Sequence, residues 1–335
     1  MSERHDSAIA SIQEVQGSRQ EEILALQNVV GIGVGRKITD GHETDEHCLS
    51  VLVEQKLPLE AVVKSARIPK TVDTIKTDVV EVGTLFAGVS AAAGTAVPTV
   101  AGPGLASDVG IELLRNRIRP VKGGYSVGHY LSTAGTYATA VTDRLPFPGM
   151  PQHTYVLSNN HVLANSNNAK IGDPILQPGP YDGGVLPSDV IATLARFVPI
   201  RFITPTSTPV NYVDAALGEG QFHDLDREIY WIGYARDSVA PSIGMLVQKT
   251  GRTTNHTTGR ITAVNATVTV NYGGGQRARF ERQIVTGAMS AGGDSGSLLL
   301  DLQNRAVGLL FAGSSVATIF NDIRYVQQLL GIRIS

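Results

Sequence analysis

The hydrophobic and polar positions of this chain fall into three textures. In the first, "RQEEILALQ" (Arg19 to Gln27) places apolar residues at helical spacing and predicts a short amphipathic helix. Val30, Ile32 and Val34 then alternate with glycines in "NVVGIGVGRKI", and Leu49, Val51 and Val53 alternate with mixed neighbours in "HCLSVLVEQ"; both patterns predict strands. Pro58 to Ala66 predicts a helix with Pro58 in its first turn, and "KTDVVEVG" a further strand. The second texture, Val82 to Ser107, is uncharged, small and without period. The third is a series of short segments rich in Val, Ile, Thr and Tyr, among them "GTYATAVTD", "TYVLSNN", "NYVDAALGE", "MLVQKTG", "TGRITAVNATVTVNY" and "AVGLLFAG". Turn residues separate them, the spacing of an all-β sandwich or a pair of barrels. At the end Ile319, Ile323, Val326 and Leu330 recur at helical spacing, with Gly331 as a C-cap. The organisation that follows is a helical tail over 1–28, a small α/β domain over 29–83, a Gly/Ala/Pro-rich linker over 84–118 and a mainly β domain over 119–335.

Composition changes this picture little. Of 335 residues 42% are hydrophobic and 17% charged, as in an ordinary globular protein, and a net charge of −2 gives no footprint for a nucleic-acid partner. Cys48 is alone, so no intrachain disulfide forms, and the opening "MSERHDSAIASIQEVQGSRQEE" lacks the apolar run of a signal peptide. These readings predict a cytoplasmic location. The 82–107 run is long enough to cross a bilayer, but Pro98, Pro103 and five glycines break any helix, so a linker is expected and no membrane contact. Gly31, Gly33 and Gly35 do not have dinucleotide-loop spacing, and a polar turn follows them in place of a helix N-terminus; they are read as easing close packing beside a strand. A unit of roughly 55 residues buries too little surface to stand alone, so the 29–83 segment is expected to dock on something.

Chemistry concentrates in "SAGGDSGSLLL" (290–300), where Ser295 is either a nucleophile or one polar residue of a tight turn. A nucleophile needs a base and an orienting carboxylate. Among eight histidines, His161 follows the apolar strand "TYVL" and the turn "SNN", so its ring projects from a strand end. Asp214 sits between Val213 and Ala215, where a carboxylate needs a partner. Asp189, in "PSDVIATL", is the alternative.

The order His161, Asp214, Ser295, carried by "LSNNHVLA", "VDAAL" and "GGDSGSLL", resembles the chymotrypsin-like (trypsin-like) serine peptidases, and "KTGRTTNHTTGRIT" is similar to a segment of their bacterial members. "GIGVG", "QPGP" and "DGG" further resemble the bacterial and plant intracellular branch that includes the narrow-leaf protease. The resemblance implies a double β-barrel with a C-terminal helix, an endopeptidase acting on polypeptides through a Ser-His-Asp triad and an acyl-enzyme, and no metal or cofactor. Ser295 would be the nucleophile, His161 the general base and acid, Asp214 the orienting group, and the Gly293 and Ser295 N–H groups the oxyanion hole. Met289, Ser290, Ala291, Phe311, Ala312 and Gly313 would line the substrate pocket. Met289 falls where a carboxylate would select Arg or Lys, so cleavage after small or medium apolar residues is expected, with Asp322 as the one acid able to reverse this. Three departures stand out: Ser297 replaces a usual glycine, Asn255 replaces another, and no free activation terminus is seen. Asp294 is therefore expected to pair with an internal cation. A binding or scaffold protein that keeps the fold without turnover is the reading from another class. Homo-oligomerisation is left open.

Overall fold

The computed structural model describes residues 2–88, 113–145 and 153–334; for residues 2–6 it describes the backbone alone. Much of the expected linker and the end of the uncharged run lie outside these residues. Among the described residues, no helix is long and apolar enough to cross a membrane.

The mainly β expectation holds. Six strands pair in a closed ring: Leu246–Gly251, Asn255–Gly273, Gln276–Gly287, Ala317–Asp322, Ala306–Gly313 and Leu298–Asp301, the last pairing back with the first. The ring is filled by Val247, Ile261, Ile284, Met289, Leu299, Val307, Leu310 and Phe320. A separate eight-stranded sheet runs from Ile332–Arg333 through Ala140–Asp143, Thr154–Ser158 and Ala216–Gly220 to Gly135–Thr136. Val127, Ala140, Val156, Ile175, Leu194 and Ala216, from six of its strands, meet in one cluster, so this sheet curls around its own core. Between the two lies a third cluster, with Leu157, Val213 and Leu217 on one side and Leu298, Leu300 and Leu309 on the other. The C-terminal helix Ile323–Leu330 starts later than expected, because Ile319 belongs to the strand Ala317–Asp322; it inserts Ile323, Val326 and Leu330 into this cluster and ends, as expected, on Gly331 at φ 68°.

The N-terminal segments join this body. The strand Val29–Thr39 pairs antiparallel with Asn255–Gly273, Gly31 opposite Val268, making one continuous sheet that extends through His42–Val53 and Ile75–Glu81. The glycines permit the approach: a methyl group on Gly31 would lie 2.5 Å from the Thr267 carbonyl oxygen, and one on Gly33 3.0 Å from Ala266 Cβ. The preceding helix is longer than expected, Ser2–Leu24, because Ile12 and Ile23 cover Ile32, Val34, Leu49 and Val51 while Gln16 donates to the Asn265 carbonyl at 2.8 Å. The helix expected over Pro58–Ala66 is two separate 3₁₀ turns, Leu59–Ala61 and Lys64–Ala66. Neither buries a residue, so no packed face stabilises a longer helix there. The linker expected from residue 84 also begins differently, since Phe86–Ala87 is a strand paired with both 306–313 and 255–273.

Candidate active site

The turn "SNN" that carries His161 is held from within. Ser158 donates to the Thr136 carbonyl at 2.8 Å, Asn159 to the Asp214 carbonyl at 2.7 Å, and Asn160 to Val198 O at 2.8 Å; all three residues are fully buried. They make one helical turn, Asn160–Leu163, start at a fixed place, with His161 as its second residue.

Asp214 is fully buried and bonded at both oxygens. Its Oδ1 accepts from the His161 backbone N–H at 3.2 Å, and its Oδ2 lies 2.6 Å from His161 Nδ1 and accepts from the Tyr272 hydroxyl at 2.7 Å. The Asp214 N–H donates to Asn321 Oδ1 at 2.9 Å, and Asn321 is itself fixed by Gln283. A carboxylate so placed accepts a hydrogen bond from Nδ1–H, the tautomer in which Nε2 carries the lone pair. Nε2 is buried and has no hydrogen-bond partner among the described residues. Burial beside Asp214 raises the Tyr272 hydroxyl well above the usual tyrosine range, so it remains a donor at all working pH. The alternative carboxylate is elsewhere employed: Asp189 bonds Arg117 Nε at 3.0 Å and the Val185 N–H at 2.9 Å.

The Ser295 loop is tied to the other sheet and to the same turn. Thr136 N–H donates to the Ser295 carbonyl at 2.7 Å, Thr136 Oγ1 to Gly293 O at 2.9 Å, and Gly296 N–H to Leu310 O at 2.8 Å. Gly293 and Gly296 take φ of 94° and 98°, a region that side chains avoid. Among the described residues the Gly293 and Ser295 N–H groups donate to no protein acceptor, whereas those of Asp294, Gly296 and Ser297 all do. Asp294, fully buried, pairs with fully buried Lys249 at 3.0 Å. It also accepts from the N–H groups of Ala291 (3.0 Å), Thr253 (2.8 Å) and Thr254 (3.1 Å) and from the Thr254 hydroxyl (2.6 Å). Burial alone would raise this carboxyl, but Lys249 and these donors together hold it below the ordinary range. The internal cation expected for Asp294 is Lys249.

The pocket residues divide. Ser290 Oγ lies 2.9 Å from Thr318 Oγ1, and Ser290, Ala291 and Gly313 remain partly exposed. Met289, expected to line the pocket where a selecting carboxylate would stand, and Phe311, expected along one wall, are buried in apolar clusters, Met289 within the barrel and Phe311 against Phe280 with ring centroids 4.7 Å apart. Ala312 shares the Phe311 cluster. Asp322 caps the C-terminal helix through the Arg324 N–H at 3.0 Å and pairs with the Arg324 side chain, so it does not floor a pocket. Lys249 and Tyr272 are the site residues missed in the sequence. Both continue the inward face of a strand, Lys249 after Val247 and Tyr272 after Val268 and Val270, and a polar group on such a face is the signal that was available.

Residues 149–309 match the profile of the family described as a trypsin-like peptidase domain. Glutamyl endopeptidase 2 of Streptomyces griseus is 40% identical over 87 residues, 26% of this chain and 42% of that protein, so the chain spans less than half the length of this relative. Among solved structures, Cellulomonas bogoriensis chymotrypsin is similar at 21% identity, covering 64% of this chain and 98% of that one with a TM-score of 0.44. Thermobifida fusca protease A is similar at 17% identity, covering 64% and 97% with a TM-score of 0.45. A glutamic acid specific serine protease described as using a histidine triad in substrate binding is similar at 23% identity, covering 64% and 100% with a TM-score of 0.42.

Proposed function

We propose that this chain, trypsin-like over residues 149–309, is a serine endopeptidase in which Ser295, His161 and Asp214 form the catalytic triad. The observation that carries the reading is the His161 ring, its side chain 10% exposed, held through Nδ1 to the buried Asp214 at 2.6 Å while Nε2 has no partner among the described residues. In this reading Nε2 accepts the Ser295 proton as Oγ attacks a peptide carbonyl, and Asp214 stabilises the imidazolium. The two unengaged N–H groups, Gly293 and Ser295, receive the developing oxyanion, and Lys249–Asp294 holds their loop without any new chain terminus. The leaving amine takes the proton back from His161, and water then hydrolyses the ester on Ser295 by the same route.

The segments 289–291 and 311–318 contain no Lys, Arg, His, Asp or Glu. A buried Arg or Lys side chain would there be unpaired at a cost of several kcal/mol, and a carboxylate would meet only hydroxyls, those of Ser290, Ser314, Ser315 and Thr318. The proposal therefore keeps small or medium apolar residues as the cleavage preference, in contrast to the glutamyl endopeptidase name of the relative. Kinship with the narrow-leaf branch belongs to the same proposal and rests on the sequence motifs alone. Mass-spectrometric profiling of a peptide library tests both parts. Cleavage after Ala, Val or Leu by the wild type and none by Ser295→Ala is the expected result; dominant cleavage after Arg, Lys or Glu refutes the preference, and cleavage retained by Ser295→Ala refutes the triad.

A further inference from the structure

The segment entering the active-site region from the N-terminal side ends in the short strand Phe86–Ala87. Val82 and Leu85 anchor it in the cluster around Phe280 and Phe311, and the Ser314 hydroxyl donates to Val82 O at 2.5 Å. Phe86–Ala87 then pairs antiparallel with the 306–313 strand, Ala87 opposite Ala312 and Phe86 opposite Gly313, and Asn271 N–H donates to Leu85 O at 2.9 Å. On the same side of 306–313, Leu298 pairs with Leu309, and Leu310 exchanges hydrogen bonds with Gly296 and Ser297. The chain turns away at the nucleophile loop, leaving the edge at Ala312–Gly313 for another strand. Residues 86–87 take that edge beside Ser295, and Gly88 comes to His161: a methyl group on its Cα would stand 3.6 Å from the ring Cδ2 and 3.7 Å from Nε2. Ser295 is 5% exposed and the His161 side chain 10%.

An open sheet edge next to a nucleophile is where an extended peptide binds by strand addition. We infer that residues 85–88 are an intramolecular peptide ligand of this active site, lying along Ala312–Gly313 as the acyl half of a substrate would, with Gly88 in the acyl position. The inference rests on the peptidase reading. It makes the N-terminal unit a tethered competitor: an external peptide reaches His161 and Ser295 only in the fraction of molecules whose strand has left the edge. It also fits the small-residue preference, since Ala87 and Gly88 are the occupants.

Gly88 has a φ of 66°, where a β-branched residue is strongly disfavoured, so Gly88→Val should displace the strand's end. Phe86→Pro, which removes an N–H from the pairing and fixes φ, is a second variant acting at a different point. Full-length wild type and both variants are compared in hydrolysis of a fluorogenic peptide and in hydrogen exchange over residues 311–314. The expected result is a rise of at least about tenfold in kcat/KM in both variants, the size set by about 1.4 kcal/mol of lost strand docking, together with faster exchange at 312–313. Adding the heptapeptide VGTLFAG should inhibit Gly88→Val competitively and the wild type little. An active wild type whose variants show unchanged kcat/KM and unchanged exchange overturns the inference and leaves the peptidase reading standing. If all three proteins are folded and hydrolyse nothing, the peptidase reading fails, and the tethered-competitor role fails with it.

Discussion

Lys249→Met isolates the interaction that holds the nucleophile loop. Lys249 and Asp294 are both fully buried and 3.0 Å apart, and removing one member of such a pair leaves an uncompensated charge, an effect of about 3–5 kcal/mol. Four other donors to Asp294 survive the change, those of Thr253, Ala291 and the Thr254 backbone and hydroxyl, which places the effect near the lower bound, about 3 kcal/mol. With a urea m-value of about 3 kcal/mol/M for a chain of this size, the unfolding midpoint should fall by about 1 M. The effect also has a pH signature. In the wild type the Asp294 carboxyl lies below its ordinary range, so its contribution is complete above the unfolded value and is lost only as pH falls through the folded one. Without Lys249 burial raises the carboxyl instead, so the variant loses stability as pH rises above the ordinary carboxylate range near ~4. The gap between the two proteins should therefore widen from pH 4 to pH 7. Adding Asp294→Asn to Lys249→Met should recover at least half of the loss, because the buried charge is gone while an acceptor for the loop amides remains. Urea unfolding followed by tryptophan fluorescence measures all three proteins. A deficit under about 1 kcal/mol at pH 7, or one equal at pH 4 and pH 7, would refute the view that Lys249 is the counter-ion that keeps Asp294 charged.

Three further predictions concern the triad and its surroundings. Asp214→Asn should leave the protein folded and lower kcat by about 10⁴-fold, whereas Asp189→Asn should leave kcat within about twofold and lower stability through Arg117; the opposite pattern in kcat assays would transfer the orienting role. Tyr272→Phe removes one of the hydrogen bonds to Asp214 Oδ2 and should lower kcat by about tenfold with KM unchanged, a split that steady-state kinetics would expose as wrong if KM rose instead. Asp322→Ala should leave the cleavage preference unchanged in library profiling and cost about 1 kcal/mol of stability by removing the N-cap of the last helix; a changed preference would return Asp322 to the pocket.

Most strands and the final helix are readable from alternation and helical spacing, because each buries one face and a buried face imposes its period on the sequence. His161 and Asp214, which lie 2.6 Å apart, are readable for a related reason: each is a polar residue of a short motif beside an apolar segment. Periodicity shows which face is buried but not what covers it. The glycines of Val29–Thr39 signalled a close neighbour, yet only the folded chain identifies it as Thr267 and Ala266, more than two hundred residues away. Phe86–Ala87 is two residues long and borrows its strand geometry from Ala312–Gly313, so no local pattern marks it. Motif position fixes the backbone path at Met289 and Phe311, whereas the clusters around Leu310 and Phe280 decide where those side chains point.

Covalent labelling reads the nucleophilicity of Ser295 itself. Wild type, Ser295→Ala and Gly88→Val are incubated with a small fluorophosphonate, and intact mass and peptide mapping locate any adduct. A single adduct on Ser295 is expected in wild type, with faster formation in Gly88→Val and none in Ser295→Ala. An adduct that persists in Ser295→Ala, or its absence from both folded wild type and Gly88→Val, would contradict a nucleophilic Ser295 served by His161 and Asp214.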